Sequence, residues 1–381
     1  MDSTPVGTIG KHFADLEDPR VDRTKLHPLL DIITVAICAV ICGADTWVEV
    51  EDYGKAKEEW LKGFLQLPNG IPSHDTFGRV FASLDPEQFE DCFLRWIRAV
   101  SVITEGQVVA IDGKTLRRSH DRTLGKEAIQ MVGAWASANR LVLGQVKVNE
   151  GSNEITAIPE LLRVLEIAGC IVTIDALGCQ KEIARQIVEA GADYVLALKA
   201  NQGRLYDDVV GFFEHAERIG FRGVESDWHR TVDKGHGRIE IRQCRTISDP
   251  EYIETLCDVV DWAELHSIVR VTSERRIGDE TTIQDRYYIA SLEGDAKESL
   301  WAVRNHWGVE NCVHWVLDIA FREDDSRVRK GHGAQNLSIL RRIALNLLKH
   351  EPTAKSGVKA RRLRAGWDNA YLLKVLARLA Q

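Results

Sequence analysis

Apolar residues recur at helical spacing through the first hundred positions. Leu29, Ile32, Ile33, Ala36 and Val40 fall three or four apart, so residues 29–44 read as one buried helix. This is the longest apolar run. Asp31 and Thr34 interrupt it, and it is too short for a membrane span. A second helix is predicted from Thr46 to Leu65, ending before Pro68-Asn69-Gly70, and a third starts near Ser73. A fourth has Asp85 as N-cap, Pro86 at the first helical position and Gln88 at the third. Two short helices joined at a tight turn suit a helix-turn-helix and a plain helical bundle equally.

The period changes at Gln107. Val108–Asp112 reads as a short buried strand, and Met131–Ser137 and Leu141–Val148 read as a hairpin around Ala138-Asn139-Arg140. A helix follows from Ile155 to Ile167, then a buried strand at Cys170–Asp175, a helix at Gln180–Ala190 and a fifth strand at Tyr194–Lys199. The order strand, hairpin, helix, strand, helix, strand predicts a mixed α/β layer.

Residues 222–291 read differently. His229–Val232, Arg238–Thr246, Ser267–Thr272 and Arg286–Ser291 alternate charged and apolar positions, with turns at Gly235-His236-Gly237 and Ile277-Gly278-Asp279. This predicts a β-rich insertion, of which residues from about 222 to 285 form their own layer and do not continue the central sheet. From Ala296 the chain reads as helical, with breaks at Gly331–Gly333 and Lys355–Gly357. The expected division is a helical N-terminal part (1–103, a candidate DNA-binding module), a first core segment (104–221), the β-rich insertion (222–291), a helical core segment (292–350) and a basic tail (351–381).

Composition is that of an ordinary soluble chain, 44% hydrophobic and 28% charged. Eight cysteines with no CxxC pair exclude a zinc ribbon and suit reduced thiols in a cytosol. The opening MDSTPVGTIG has neither the basic nor the apolar region of a signal peptide. Charge is more informative. The net charge is −8, yet residues 322–381 hold 14 Lys and Arg against 5 Asp and Glu, a balance of +9. That leaves 35 against 52, or −17, for residues 1–321. An acidic body with a basic end allows a polyanion partner at that end and a carboxylate-rich site elsewhere.

Two acids end apolar strands, Asp112 after Val-Val-Ala-Ile and Asp175 after Ile-Val-Thr-Ile. Each also fits a turn-starting Asp. Together, on adjacent parallel strands, they would meet at one point, where α/β sheets bind ligands. Farther on, His306, Glu310, His314 and Asp318 recur every four residues and share a helix face. That face reads either as a polar stripe or as a helix presenting a metal-binding carboxylate. The two histidines are eight apart, unlike the H-E-x-x-H zinc spacing. Two strand acids and one helix acid suit hard divalent cations and two-metal phosphoryl transfer. Asp318 and Glu323 are the reserve acids.

The chain resembles the bacterial insertion-sequence transposases of the DDE kind, near the H-repeat-associated group. The motifs that carry the resemblance are Ala110-Ile111-Asp112-Gly113-Lys114, Thr173-Ile174-Asp175-Ala176, Arg304–Asn311, His314–Asp318 and Phe321-Arg322-Glu323-Asp324. Asp18-Pro19-Arg20 and Leu198–Gln202 extend it over nearly the whole chain. The resemblance implies an RNase H-like core with Asp112, Asp175 and Glu310 as catalytic metal ligands. It implies Mg²⁺ or Mn²⁺, two ions, as cofactor, and DNA, both element ends and target, as partner. It allows a homodimer in the active complex and places the protein in the bacterial cytoplasm, with the nucleoid when bound to DNA. The implied activity is metal-dependent strand cleavage at element ends followed by strand transfer.

Related transposases often carry Tyr, Arg, Glu and Lys around the third acid. Here Val303, His306 and Leu317 stand at the Tyr, Arg and Lys positions, so Arg304, His306 or His314 would replace those phosphate contacts. Lys114 and Lys199, at core strand ends, are further phosphate candidates. Arg230, Lys234, Arg238 and Arg242 are DNA-contact candidates on the insertion, where Asp233 and Glu240 make a solvated face an equal reading. In the tail Arg341, Arg342, Lys349, Lys359, Arg361, Arg362 and Arg364 are the candidates. The rival readings are a catalytically silent DNA-binding remnant and a two-metal nuclease without strand transfer. A metal-independent glycosidase ranks last.

Overall fold

The structure, a computed structural model, describes residues 10–100, 105–120, 127–149, 151–235 and 237–377. Most of the opening segment, the 103/104 boundary, His236 of the expected turn and the last four tail residues lie outside the described residues.

The N-terminal part is helical and includes α1 (Leu29–Ile41), α2 (Trp47–Ala56), α3 (Glu58–Leu61), α4 (His74–Ser83) and α5 (Pro86–Val100). The helix expected over 46–65 is divided at Lys57, into α2 and α3. Its start is set by a capping box, in which Thr46 and Glu49 satisfy each other's backbone N–H groups. Helix α1 is buried from Asp31 to Ile41, and Asp31 is satisfied by accepting from the Leu67 N–H at 2.8 Å. Among the described residues, no helix is long and apolar enough to cross a membrane.

The next elements alternate: β1 (Val108–Leu116), β2 (Ile129–Ala136), β3 (Leu141–Lys147), α6 (Glu154–Val164), β4 (Ile171–Ile174), α7 (Lys181–Glu189), β5 (Asp193–Leu198) and α8 (Arg204–Arg218). Then come β6 (Ser226–Gly235), β7 (Arg238–Ile247), α9 (Pro250–Ile253), β8 (Ser267–Ile277) and β9 (Glu280–Ala290). All nine strands form one sheet, ordered β3-β2-β1-β4-β5-β9-β8-β7-β6. Strands β1, β4 and β5 run parallel, while β2 and β3 fold back antiparallel. This inner five-strand unit is the RNase H-like core.

The strands of the β-rich region continue that sheet, so the expectation of a separate layer is corrected. Strand β9 pairs antiparallel with β5 from Val195↔Ala290 to Leu198↔Tyr287. The reason lies in how each long strand divides. The inner ends, Tyr288-Ile289-Ala290 and Ser267–Val269, are buried and extend the core, while the outer ends carry exposed charged residues.

The chain ends in α10 (Ala296–His306), a π-helical turn (Glu310–His314), α11 (Trp315–Phe321), α12 (Gly333–His350), α13 (Val358–Trp367) and α14 (Asn369–Leu376). Helix α12 is buried on nearly every side, as a helix inside a core must be. It packs against α1, α4, α5 and β3, so the N-terminal helices and the sheet share one core. Its polar residues are matched to backbone: Asn346 donates to Val142 O and accepts from Val142 N–H, and Asn336 donates to Phe81 O and Leu84 O.

This packing overturns most of the basic-tail expectation. Arg361 donates to the carbonyls of Leu348, Glu351, Ala354 and Ser356, closing the α12–α13 turn. Arg362 is 3% exposed and donates to the carbonyls of Val40, Ala44 and Ala320 and to Asp45. Neither is free to meet a phosphate. Arg341 and Arg342 are also buried, Arg342 beside Glu323, and Lys349 donates to Cys312 O. Lys359 and Arg364 stay exposed. Guanidinium groups consumed by buried carbonyls cannot be told from solvated ones by charge count alone.

Candidate active site

The parallel pairing of β1 with β4 sets Ile111 beside Ile174, so the next residues, Asp112 within β1 and Asp175 just past the end of β4, stand side by side. Each carboxylate accepts backbone N–H bonds that fix it. Asp112 Oδ1 accepts from Gly113 at 2.9 Å, and Asp175 Oδ1 accepts from Leu177 at 3.0 Å. Glu310 approaches from the helical side, at the start of the π turn. Asp112, Asp175 and Glu310 line one cavity of about 560 Å³ with Lys199, Tyr206, Arg286, His306 and Trp307.

Close approach of the Glu310 segment depends on a glycine. A Cβ on Gly308 would stand 2.8 Å from the Trp135 ring of β2, so only a bare backbone lets this turn lie on the sheet. Above it the Arg286 guanidinium stacks on Trp307, 4.5 Å from the ring centre.

His314 is buried and its Nδ1 stands 2.9 Å from Glu310 Oε2 and 3.7 Å from Asp112 Oδ2. Among the described residues, Asp112, Glu310 and His314 each offer a ligand atom, and these atoms lie within 4.8 Å of one another. Two carboxylates and an imidazole at that spacing fit a divalent cation. Asp175 shares the cavity but stands outside this tighter cluster.

The electrostatics agree with a cation site. Burial, then the charges of Asp175, Glu154 and Glu310, push the Asp112 carboxyl up to about 7, against the opposing bond from Gly113. Burial pulls His306 and His314 below the ordinary imidazole value, opposed by Asp175 for His306 and by Glu310 for His314. His306 Nδ1 is 3.1 Å from Thr173 Oγ1 on β4.

Other candidates are placed differently. Lys114 is held in an ion pair and does not line the cavity. Its ammonium meets both Asp318 oxygens at 2.8 Å and Asp324 at 3.8 Å, with the lysine side chain 9% exposed. That also occupies Asp318, and Glu323 is paired with Arg342, so neither reserve acid is available. Lys199 is exposed at the cavity. Arg238, Arg242 and Arg304 share a second groove of about 620 Å³ with Arg275, Arg286 and Trp307. Glu240 pairs with Arg238 and Arg242, and Asp233 pairs with Arg242 and Arg304, so three arginines share two acids.

A family model described as "Transposase DDE domain" matches residues 103–347, and one described as "DDE_Tnp_1-associated" matches residues 10–97. The chain belongs to the DDE transposase family. It is 42% identical over 372 residues to "Putative transposase YncI" of Escherichia coli O157:H7, covering 96% of this chain and 93% of that protein. It is 39% identical over 379 residues to "H repeat-associated putative transposase YhhI" of Escherichia coli K12, covering 96% and 97%.

One acid beside this DDE site escaped the sequence reading. Glu154 opens α6, where Asn153 caps the helix. Its carboxylate lies against Gly113, where an added Cβ would stand 2.0 Å from Oε1. Burial and Asp175 raise its pKa. An acid in the first turn after an Asn cap is ordinary helix chemistry, so the sequence carries no signal that it reaches Asp112.

Proposed function

We propose that this DDE transposase cuts DNA at the ends of its element and joins the freed ends to target DNA, acting in the bacterial cytoplasm. Convergence of Asp112, Asp175 and Glu310 on one cavity is the observation that carries the reading. The same acids would hold two divalent ions, Mg²⁺ or Mn²⁺. Ions bound there would stabilise the attacking and leaving oxygens of an in-line displacement at phosphorus.

The chain's own groups supply the rest. Asp112 and Asp175 are held by backbone N–H bonds, so both carboxylates are set before DNA arrives. Lys199 stands at the cavity to meet a phosphate oxygen. Arg238, Arg242 and Arg304 offer a track for the duplex leading away from it, since three guanidinium groups share only two acids. His306, Thr173-bonded and neutral, stands at the position where DDE transposases often carry Arg, and so aligns the site without adding charge.

The test uses linear DNA carrying the inverted repeats that flank the gene, with Mg²⁺ or Mn²⁺. Cleavage at the repeat ends and joining to a second duplex, both abolished by Asp175→Asn, is the expected result. Cleavage without joining would make the protein a nuclease. Specific binding without cleavage in either metal would make it a silent remnant.

A further inference from the structure

We propose that His314 is a nitrogen ligand of the cation held between Asp112 and Glu310, and that the site therefore takes a first-row transition dication such as Mn²⁺ in preference to Mg²⁺. The proposal rests on the metal-site reading above and goes beyond its three carboxylates.

Geometry is the first ground. Octahedral bonds of about 2.1 Å place neighbouring ligand atoms about 3 Å apart and opposite ones about 4.2 Å apart. The Nδ1 atom of His314 lies 2.9 Å from Glu310 Oε2 and 3.7 Å from Asp112 Oδ2. All three donors fall within 4.8 Å of one another, so small side-chain adjustments bring them onto one coordination sphere. The His314 nitrogen that faces the acids is thus placed where a ligand would be, not where a remote charge would be.

Local backbone is the second ground. The π-helical turn covers Glu310 to His314, the two donors and the three residues between them. No other π turn occurs among the described residues. Such turns interrupt an α-helix at a cost and recur at functional sites. Here the turn brings both side chains to Asp112 on β1. His314 is only 8% exposed, so its ring is held in place by packing.

The chemistry follows from the donor set. Magnesium demands hard oxygen ligands and keeps its waters. An imidazole in the first coordination sphere favours transition ions over Mg²⁺, because affinity at mixed nitrogen and oxygen sites rises along the first row. When a cation binds Nδ1, the neutral ring changes tautomer: the proton that Nδ1 donates to Glu310 leaves that nitrogen and Nε2 takes one up, so the ring stays neutral.

The experiment loads the full chain with Mn²⁺ alone and reads pulsed EPR. Nitrogen modulation on bound Mn²⁺ is expected, retained in His306→Gln and lost in His314→Gln. Titration calorimetry should show His314→Gln weakening Mn²⁺ binding by about tenfold or more while Mg²⁺ binding changes little. A histidine that only positioned Glu310 would weaken both ions equally, and that result overturns the proposal. Stoichiometric Mn²⁺ binding to the wild-type chain without nitrogen modulation overturns it too, even if His314→Gln fails to fold, while leaving the carboxylate site intact. Absence of Mn²⁺ binding altogether overturns both this inference and the metal-site reading.

Discussion

The Lys114 ammonium sits 2.8 Å from both carboxylate oxygens of Asp318 and joins two segments 204 residues apart. One is β1, which carries Asp112 and runs on to Leu116, the other the helix that follows Glu310. The pair therefore ties the mounts of the first and third acids together. Replacing Asp318 with Asn leaves a lysine with 9% of its side chain exposed and only Asp324, at 3.8 Å, as partner. Asp318→Asn should lower unfolding free energy by about 1–3 kcal/mol. Urea denaturation checks this, and a variant as stable as wild type would show the pair to be a solvated contact.

Arg362 has the opposite character from what its charge suggests. Its guanidinium is enclosed by three backbone carbonyls, Asp45 and the Phe321 ring, whose centre lies 4.2 Å away. Arg362→Ala should cost about 3–5 kcal/mol, because it strands Asp45 and the carbonyls in a buried place. Lys359 and Arg364 are exposed, and Arg364 stacks 4.4 Å over the Tyr371 ring, so neutralising both should cost about 1 kcal/mol or less. If they touch phosphate, the slope of log K for duplex DNA against log salt should fall by about 1.8. Thermal melts with fluorescence anisotropy at several salt concentrations separate the two classes.

Legibility in the sequence followed locality. Asp112 and Asp175 were visible because an apolar run followed by a single acid is written within five residues. Thr46 and Asp85 announced helix starts for the same reason. The sheet's continuation through β9 was hidden, since its strands bury only their inner ends and their outer charges suggested a separate layer. Buried arginines were hidden more completely. Arg362 depends on carbonyls at Val40 and Ala44, more than 300 residues away, which no window of sequence brings together. His314 was visible as a neighbour of Glu310 one helical turn away, but its approach to Asp112 depends on the packing of α10, the helix that leads into the π turn, against β1.

Gly308 tests how tightly the third acid is mounted. Its missing Cβ leaves room for the Trp135 ring, which an alanine would crowd to 2.8 Å. Gly308→Ala should cost about 1–3 kcal/mol by overpacking and displace Glu310 from Asp112. Mn²⁺ affinity should then fall more than tenfold, a loss that Gly211→Ala, in open space on α8, should not cause. Equal affinities for the two variants would show that the glycine does not set the site.

Asp112 makes both stability and metal affinity depend on pH. Its carboxyl is raised from 3.8 to about 7, mainly by burial and then by the neighbouring acids. A group whose folded pKa is raised stabilises the fold fully below its unfolded value and loses that contribution as pH rises through the folded value. Without a cation, stability should therefore decline between about pH 4 and pH 7, by on the order of 4 kcal/mol at most. The side chain is 26% exposed, which reduces that figure. A divalent ion competes with the same proton, so its affinity should rise up to about tenfold per pH unit until about pH 7 and then level off. Melting curves from pH 5 to 8, with EDTA and with Mn²⁺, read both effects. The gap between the two melting temperatures should widen to about pH 7 and then stay constant. A gap independent of pH would mean that the ion does not displace a proton from Asp112.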